Sequence, residues 1–377
     1  MEWRKIRQLA GVKTRVLLVL IATGLSATVV LAATPSPINS ISDKIQPIAL
    51  ETQPIRWNPA NRNDLSAGEL EWAGGIEVKS ENKEFGGWSG LAISADGSRL
   101  LAISDEAHWL SAEILYDEKG RLSGLGDGTI APMLNLKGEP ILRKPYGDAE
   151  GLTTTGDDPT KSEAYVSFEH FHRIWRYDLS TAGFAAVPSQ IVTERRLGQM
   201  PANSGMEALA LIGPETGNDN QRLLALTEDA RNAKGNREAF LIEGRKVERL
   251  STRLNAPFKP TDLARLPNGD FLLLERSFSL LAGPGMQLRL VKGDDVKPGA
   301  TLDGRLLLST NNARTIDNME GLAVRQDEKG QVFVYLISDN NYSLLQHTYL
   351  MMFKLKLAPA EGSLGTITLP HNPAGAE

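Results

Sequence analysis

A chain of 377 residues, 41% hydrophobic and 23% charged, with 35 Gly and 20 Pro, has the make-up of a globular protein rather than a disordered one. A formal charge of −5, 6% aromatic residues and the lack of any basic block or RNP-like motif argue against nucleic acid as a partner. Zero cysteines exclude disulfides, thiolate metal sites and a thiol nucleophile.

The first element is a targeting segment. Arg4, Lys5, Arg7, Lys13 and Arg15 precede an uncharged apolar stretch over residues 16–33 that ends in the small residues Ala32 and Ala33. Basic, apolar and small-residue regions in that order describe a secretory signal peptide over residues 1–33. Its 18 uncharged residues are nearly enough to span a bilayer, so the alternative is an uncleaved inner-membrane anchor facing the periplasm. Thr23, Gly24, Ser26 and Thr28 dilute the run and favour export with cleavage into the periplasm. On the cleaved reading there is no other contact with a membrane. Cleavage would remove five positive charges and one negative, leaving a mature chain of −9. An acidic surface of that kind suits cation binding.

Residues 34–66 read as a Pro-rich linker, with Pro35, Pro37, Pro47, Pro54 and Pro59 and a turn-rich NPANRND stretch. One domain then runs over residues 67–377. From Leu70-Glu71-Trp72 onward, short Val/Ile/Leu/Tyr runs alternate with Gly, Asp, Asn and Pro, and long stretches of helical period are missing. The class is all-β.

Within that domain a motif recurs. Glu150 (EGL), Glu207 (EAL), Asp262 (TDL) and Glu320 (EGL) follow one another at gaps of 57, 55 and 58 residues, and Ser89 (SGL) stands 61 before Glu150. Each motif leads into an apolar run that ends in an acid: Asp105, Glu169, Glu228, Glu275 and Asp339. A fixed period of this size marks a copied supersecondary unit. One unit predicts strands over residues 151–153, 164–168 and 173–177, and the last predicts strands over 321–324, 331–338 and 344–357. Three or four antiparallel strands per unit around an axis make a β-propeller. Five units are visible; strand candidates at 48–57, 70–79 and 365–369 predict a sixth blade that closes the ring. Five blades are the alternative.

The hairpin geometry brings the acids to one face. An acid opening the first strand and an acid closing the antiparallel second strand lie at the same end. Glu150, Glu207, Asp262 and Glu320 are therefore predicted to ring the mouth of the central channel. Asp105, Glu169, Glu228, Glu275 and Asp339, with Asn340, form a second set further out, and Asp148 and Asp317 join the same face. Carboxylates so gathered repel one another unless a cation or protons intervene. Oxygen-only ligands of this kind fit Ca²⁺ best among common divalent ions. The competing explanation is that acids at strand ends cap turns, which suits Asp better than Glu.

Arg173, Arg231 and Arg276, with His108, His170 and His172, are the basic groups predicted on that face. Arginine matches phosphate or carboxylate oxygens in pairs, which makes a small anionic substrate or ligand the expected partner. Arg173, Arg231, Arg276 and His170 are the candidates for catalytic contact. No Gly-x-Ser-x-Gly elbow is present, so a serine hydrolase has no support.

At these residues the chain resembles the phytase-like domain family of exported alphaproteobacterial proteins, known as "esterase-like activity of phytase" proteins. The resemblance is carried by Gly74-Gly75-Ile76-Glu77-Val78, Phe85-Gly86-Gly87-Trp88-Ser89-Gly90-Leu91 and Leu101-Ala102-Ile103-Ser104-Asp105. It continues through Asp148-Ala149-Glu150-Gly151-Leu152, Ser167-Phe168-Glu169, Arg173-Ile174-Trp175-Arg176-Tyr177, Met319-Glu320-Gly321-Leu322 and Leu336-Ile337-Ser338-Asp339-Asn340. The resemblance implies a propeller related to calcium-dependent phytases, though the chain has no Asp-Asp-Glu run closing a second strand. The motifs are also similar to those of gluconolactonase-type propellers, in which an acid opening an inner strand binds the metal. Two functions follow. One is an exported metal-dependent hydrolase of a phosphoester, ester or lactone. The other is a non-catalytic periplasmic propeller that binds a ligand or protein, with calcium structural only.

Overall fold

Strand rich in Val, Ile and Leu and buried on both faces is what a propeller demands, because each blade is covered by its two neighbours. The computed structural model describes residues 44–198, 200–213 and 221–356. The first blade runs from inside to outside as Trp88–Ile93, Arg99–Ser104, His108–Tyr116 and Leu122–Pro132. The second is Ala149–Thr154, Glu163–Phe168, Arg173–Asp178 and Ser189–Thr193. The third is Met206–Ile212, Arg222–Arg231, Arg237–Glu243 and Lys246–Thr252, with Thr301–Leu302 added at its edge. The fourth is Lys259–Arg265, Phe271–Ser279, Gly283–Val291 and Arg305–Asn311. The fifth is Asn318–Gln326, Val332–Asp339, Thr348–Leu355 and, from the other end of the described chain, Leu70–Lys79.

The ring closes at five blades among the described residues. The first strands touch in sequence order, and that of the fifth blade touches that of the first. Five apolar clusters fill the five junctions. Alternate residues of one strand point into different junctions: Leu101 and Ile103 pack against Val166 and Phe168 of the second blade, whereas Leu100 joins Tyr335 and Ile337 of the fifth. The sixth blade expected from the sequence does not form there. Leu70–Lys79 is instead the outer strand of the fifth blade, antiparallel to Thr348–Leu355. The candidate at 365–369 and the targeting segment over 1–33 lie outside the described residues.

The stretch read as a linker is structured from Gln46 onward. Gln46–Ile48 pairs with the outer strand of the first blade, and Glu51–Pro54 with Leu70–Lys79. At Gly74 this strand meets the first blade's outer strand, and a Cβ there would lie 2.4 Å from the Leu122 carbonyl oxygen. With φ of +111° as well, only glycine fits. Just upstream, Trp57 is buried, stacks on Trp72 at 6.0 Å and meets Phe353 edge-on at 5.3 Å. Its Nε1 donates to the Ser66 carbonyl oxygen at 2.8 Å. Among the described residues no helix is long and apolar enough to cross a membrane.

Trp57→Ala is expected to lower stability by about 3–5 kcal/mol, the cost of emptying a buried aromatic site. Urea unfolding checks this; an unchanged midpoint would mean that the segment is a linker after all.

Candidate functional site

A β-bulge lies at the recurring motif of every blade. In the first, third and fifth blades the extra residue is Ser89, Glu207 and Glu320, standing between paired neighbours. In the second, Glu150 and Gly151 together face Ser167. A bulge re-aims a side chain that would otherwise follow the pleat. Here Ser89, Glu150, Glu207 and Glu320 all line a cavity of about 1010 Å³ at one end of the propeller.

Asp262 is the exception and corrects the sequence reading. The bulged residue of the fourth blade is Thr261; Asp262 pairs in register with Leu274. Its carboxylate is wholly buried, accepting from Leu322 N–H of the fifth blade at 2.6 Å and from Leu263 N–H at 2.7 Å. Burial raises its pKa well above the ordinary value against the pull of those two donors. It fastens two blades and does not line the mouth. Aligning the motifs on their leucine (SGL, EGL, EAL, TDL, EGL) puts Thr261 in the acid's place and Asp262 in that of Gly or Ala.

The second set also divides. Asp105, Asp148, Glu169, Glu228, Asp317 and Asp339 line the mouth cavity. Glu275 does not: it is wholly buried against Arg289 Nε at 2.7 Å. Asn340 serves the backbone, its Oδ1 accepting from Tyr342 N–H at 3.1 Å and Gly87 N–H at 3.4 Å. Of the basic candidates, Arg276 and His170 line the mouth, while Arg173 and Arg231 do not. Arg231 pairs with Asp229 at 2.8 Å, and Arg173 lies beneath a neighbouring pocket. His108 is buried, which pushes its pKa down to about 4, and His172 Nε2 lies 3.1 Å from the Pro201 carbonyl oxygen. Lys144 lines the mouth but is absent from the expected set. Its one-turn spacing from Asp148 in KPYGD is the signal that finds it.

Charge is neutralised unevenly around this mouth. Lys144 pairs with Asp105 and lies 3.7 Å from Asp148, whose other oxygen is 2.8 Å from His170 Nδ1. Arg276 lies 2.7 Å from Glu320 and 3.6 Å from Glu228, and Lys259 is 3.1 Å from Glu228. No Lys or Arg among the described residues pairs with Glu150, Glu169 or Glu207. Yet these three each offer an oxygen within 4.8 Å of the other two. Asp148, Glu169 and His170 form a second group of the same closeness.

The titration behaviour follows from that imbalance. Glu150 and Glu207 are pushed well above the ordinary carboxylate range, first by burial and then by neighbouring acids. Burial also raises Glu320, with Arg276 opposing it. Glu169 rises to about 7, mainly through burial, while the Gly205 N–H pulls the other way. Asp339 rises to about 7, through burial and the charge of Asp105.

The ordinary values are 4.5 for Glu169 and 3.8 for Asp339. Between those and about 7, the folded state holds protons that the unfolded chain has released, so stability falls as pH rises. Acids with lowered values, such as Asp96 at about 2, titrate below this window. His108, held down at about 4 from an ordinary 6.5, works the other way up to about pH 6.5. It is one group against the raised Glu150, Glu169, Glu207 and Asp339, so without divalent cations the thermal midpoint should decline from about pH 5 to about pH 7.5. A flat or rising midpoint over that interval would show that the mouth carboxylates are already neutralised.

The model of the family described as "Phytase-like: Esterase-like activity of phytase" matches residues 83–342. No curated protein matches the chain in sequence. Among solved structures, the PQQ-bound aldose sugar dehydrogenase of Streptomyces coelicolor is 13% identical, over 81% of this chain and 98% of its own, with a TM-score of 0.41. A putative oxidoreductase (glucose dehydrogenase) of Thermus thermophilus is 13% identical, over 81% and 100%, with a TM-score of 0.34. The Cps50 β-propeller domain of Myceliophteria thermophila is 10% identical, over 80% and 99%, with a TM-score of 0.35. These likenesses concern the β-propeller fold alone.

Proposed function

Because the chain belongs to the phytase-like family, we propose that it is an exported, calcium-dependent hydrolase of a phosphoester, ester or lactone, working at the propeller mouth. The observation that carries this is the cluster of Glu150, Glu169 and Glu207, three carboxylates within 4.8 Å that no Lys or Arg among the described residues pairs with. Their residue types fit the proposed ion: the donors are all oxygen, as Ca²⁺ prefers, and a cation there relieves the repulsion that raises their pKa values. When bound, the cation would supply Lewis-acid polarisation of a substrate oxygen.

The chain's own residues supply the rest. Arg276 and Lys144 place positive charge on the cavity wall, where each can turn to an anionic substrate oxygen. Asp339 lies outside the three-carboxylate cluster and lines the same cavity. With a proton affinity near neutrality, it is suited to take a proton from an attacking water. His170 stands at the same wall, its Nδ1 2.8 Å from an Asp148 oxygen. One observation favours the second reading, a ligand-binding propeller with structural calcium: Lys144 and Arg276 are each already engaged with two carboxylates.

At about pH 7.5, Ca²⁺ at about 100 times its Kd should raise stability by about 2.7 kcal/mol, or about 5 °C in thermal midpoint. The double variant Glu150→Gln/Glu207→Gln should lose that shift, whereas Asp262→Asn should keep it. In parallel, 4-nitrophenyl phosphate, 4-nitrophenyl acetate and a simple lactone are assayed with Ca²⁺ and with EDTA. Chelator-sensitive turnover of one of them is the expected result. A calcium shift without turnover would leave the ligand-binding propeller, and no shift would remove the metal from both readings.

Export rests on the segment over residues 1–33. N-terminal sequencing of the secreted species should find a start near Ala33 or Thr34; full-length protein held in the membrane would show an anchor.

A further inference from the structure

A second pocket, of about 490 Å³, lies beside the mouth and is lined by Pro140, Leu142, Tyr146, Phe171, Arg173 and Trp175. The partition is thin along the chain. Lys144 lines the mouth while Arg143 lines the pocket, and His170 lines the mouth while Phe171 lines the pocket. Residues adjacent in the chain therefore separate the two cavities and set them side by side.

The pocket is built rather than incidental. Tyr146 and Phe171 stack face to face, with centroids 4.8 Å apart and planes 12° apart, and both remain about half exposed. One guanidinium holds the two backbones: Arg173 Nη1 donates to the Phe171 carbonyl oxygen at 2.9 Å and Nη2 donates to that of Tyr146. Arg173 is itself buried, 3.9 Å from the Phe168 ring centroid and 4.3 Å from that of Trp175. No carboxylate pairs with it among the described residues. A buried arginine is costly without a carboxylate partner, and here its donors fix a platform of two aromatic residues. Trp175 lines the same pocket, and its Nε1 is a buried donor with no acceptor among the described residues. An exposed pair of stacked rings and an unanswered donor are both features that a ligand completes.

We propose that this pocket binds a flat aromatic group of the molecule whose anionic end enters the mouth, with an acceptor atom on that group answering Trp175 Nε1. The aromatic group is read from the pocket itself; the anionic end rests on the proposed hydrolase function. A volume of this size suits a small ligand.

The test is calorimetric titration of the mature protein, with Ca²⁺, against methyl phosphate, 2-naphthyl phosphate and 4-methylumbelliferyl phosphate, whose fused ring carries a carbonyl oxygen. The aryl phosphates should bind at least about tenfold more tightly than methyl phosphate. Phe171→Ala and Tyr146→Ala should bring that ratio towards one at an unchanged thermal midpoint. Trp175→Phe should weaken 4-methylumbelliferyl phosphate more than 2-naphthyl phosphate. Equal affinity for alkyl and aryl phosphates, or a preference that survives both alanine variants, overturns the proposal, as does no binding of any probe. Aryl preference without turnover of these probes supports the pocket and removes phosphoesters from the hydrolase reading; turnover without aryl preference sinks the pocket alone.

Discussion

Everything at the mouth depends on closing a ring of blades that cannot bury their faces singly. Each sheet is apolar on both sides, and five junction clusters cover those sides only when the fifth blade meets the first. The closing strand Leu70–Lys79 joins chain from before the first blade to chain from the last, antiparallel to Thr348–Leu355. Among the described residues, closure gives every blade face a covering neighbour and every inner strand a partner strand beside it. It also forces five strand starts towards one axis, which is why acids 50 to 60 residues apart come to share a cavity.

Much of this was legible in the sequence, and the failures have a common cause. The period, the all-β class and the shared face of Glu150, Glu207 and Glu320 follow from a repeat and from antiparallel hairpins. Blade number does not, because the outer strand of the fifth blade comes from the opposite end of the described chain and mimics part of a blade of its own. Asp262 fails by a single residue. In a strand, one step moves a side chain to the other face. The bulge at Thr261 therefore decides between channel mouth and blade junction. Glu275 fails through its partner, since Arg289 sits on the next strand and nothing in FLLLER announces it.

The uneven charge map gives the mouth its chemical character. Lys144, Lys259 and Arg276 neutralise the flanks at Asp105, Glu228 and Glu320, and leave the stretch between the second and third blades bare. A structure built only for stability would gain from an arginine there, or from Gln in place of Glu. Buried acids held above their ordinary pKa weaken the fold at neutral pH. Sites where local chemistry disagrees with global stability are where function is expected.

One turn ties the charged mouth to its apolar neighbour. Between the second and third strands of the second blade, Glu169 joins the carboxylate cluster, His170 meets Asp148 and Phe171 forms the aromatic platform, which Arg173 holds from the first position of the third strand. His170 has φ of +54°, a conformation that costs a non-glycine residue energy. That sharp reversal is what lets consecutive residues serve different cavities: a regular hairpin extension would carry Glu169 and Phe171 along one pleat face. The short helix Lys144–Gly147 repeats the arrangement beside it, with Lys144 in the mouth and Tyr146 in the pocket, stacked on Phe171. Two segments, each divided between polar and apolar duty, thus set a carboxylate cluster and an aromatic platform side by side, so the placement of one constrains the other.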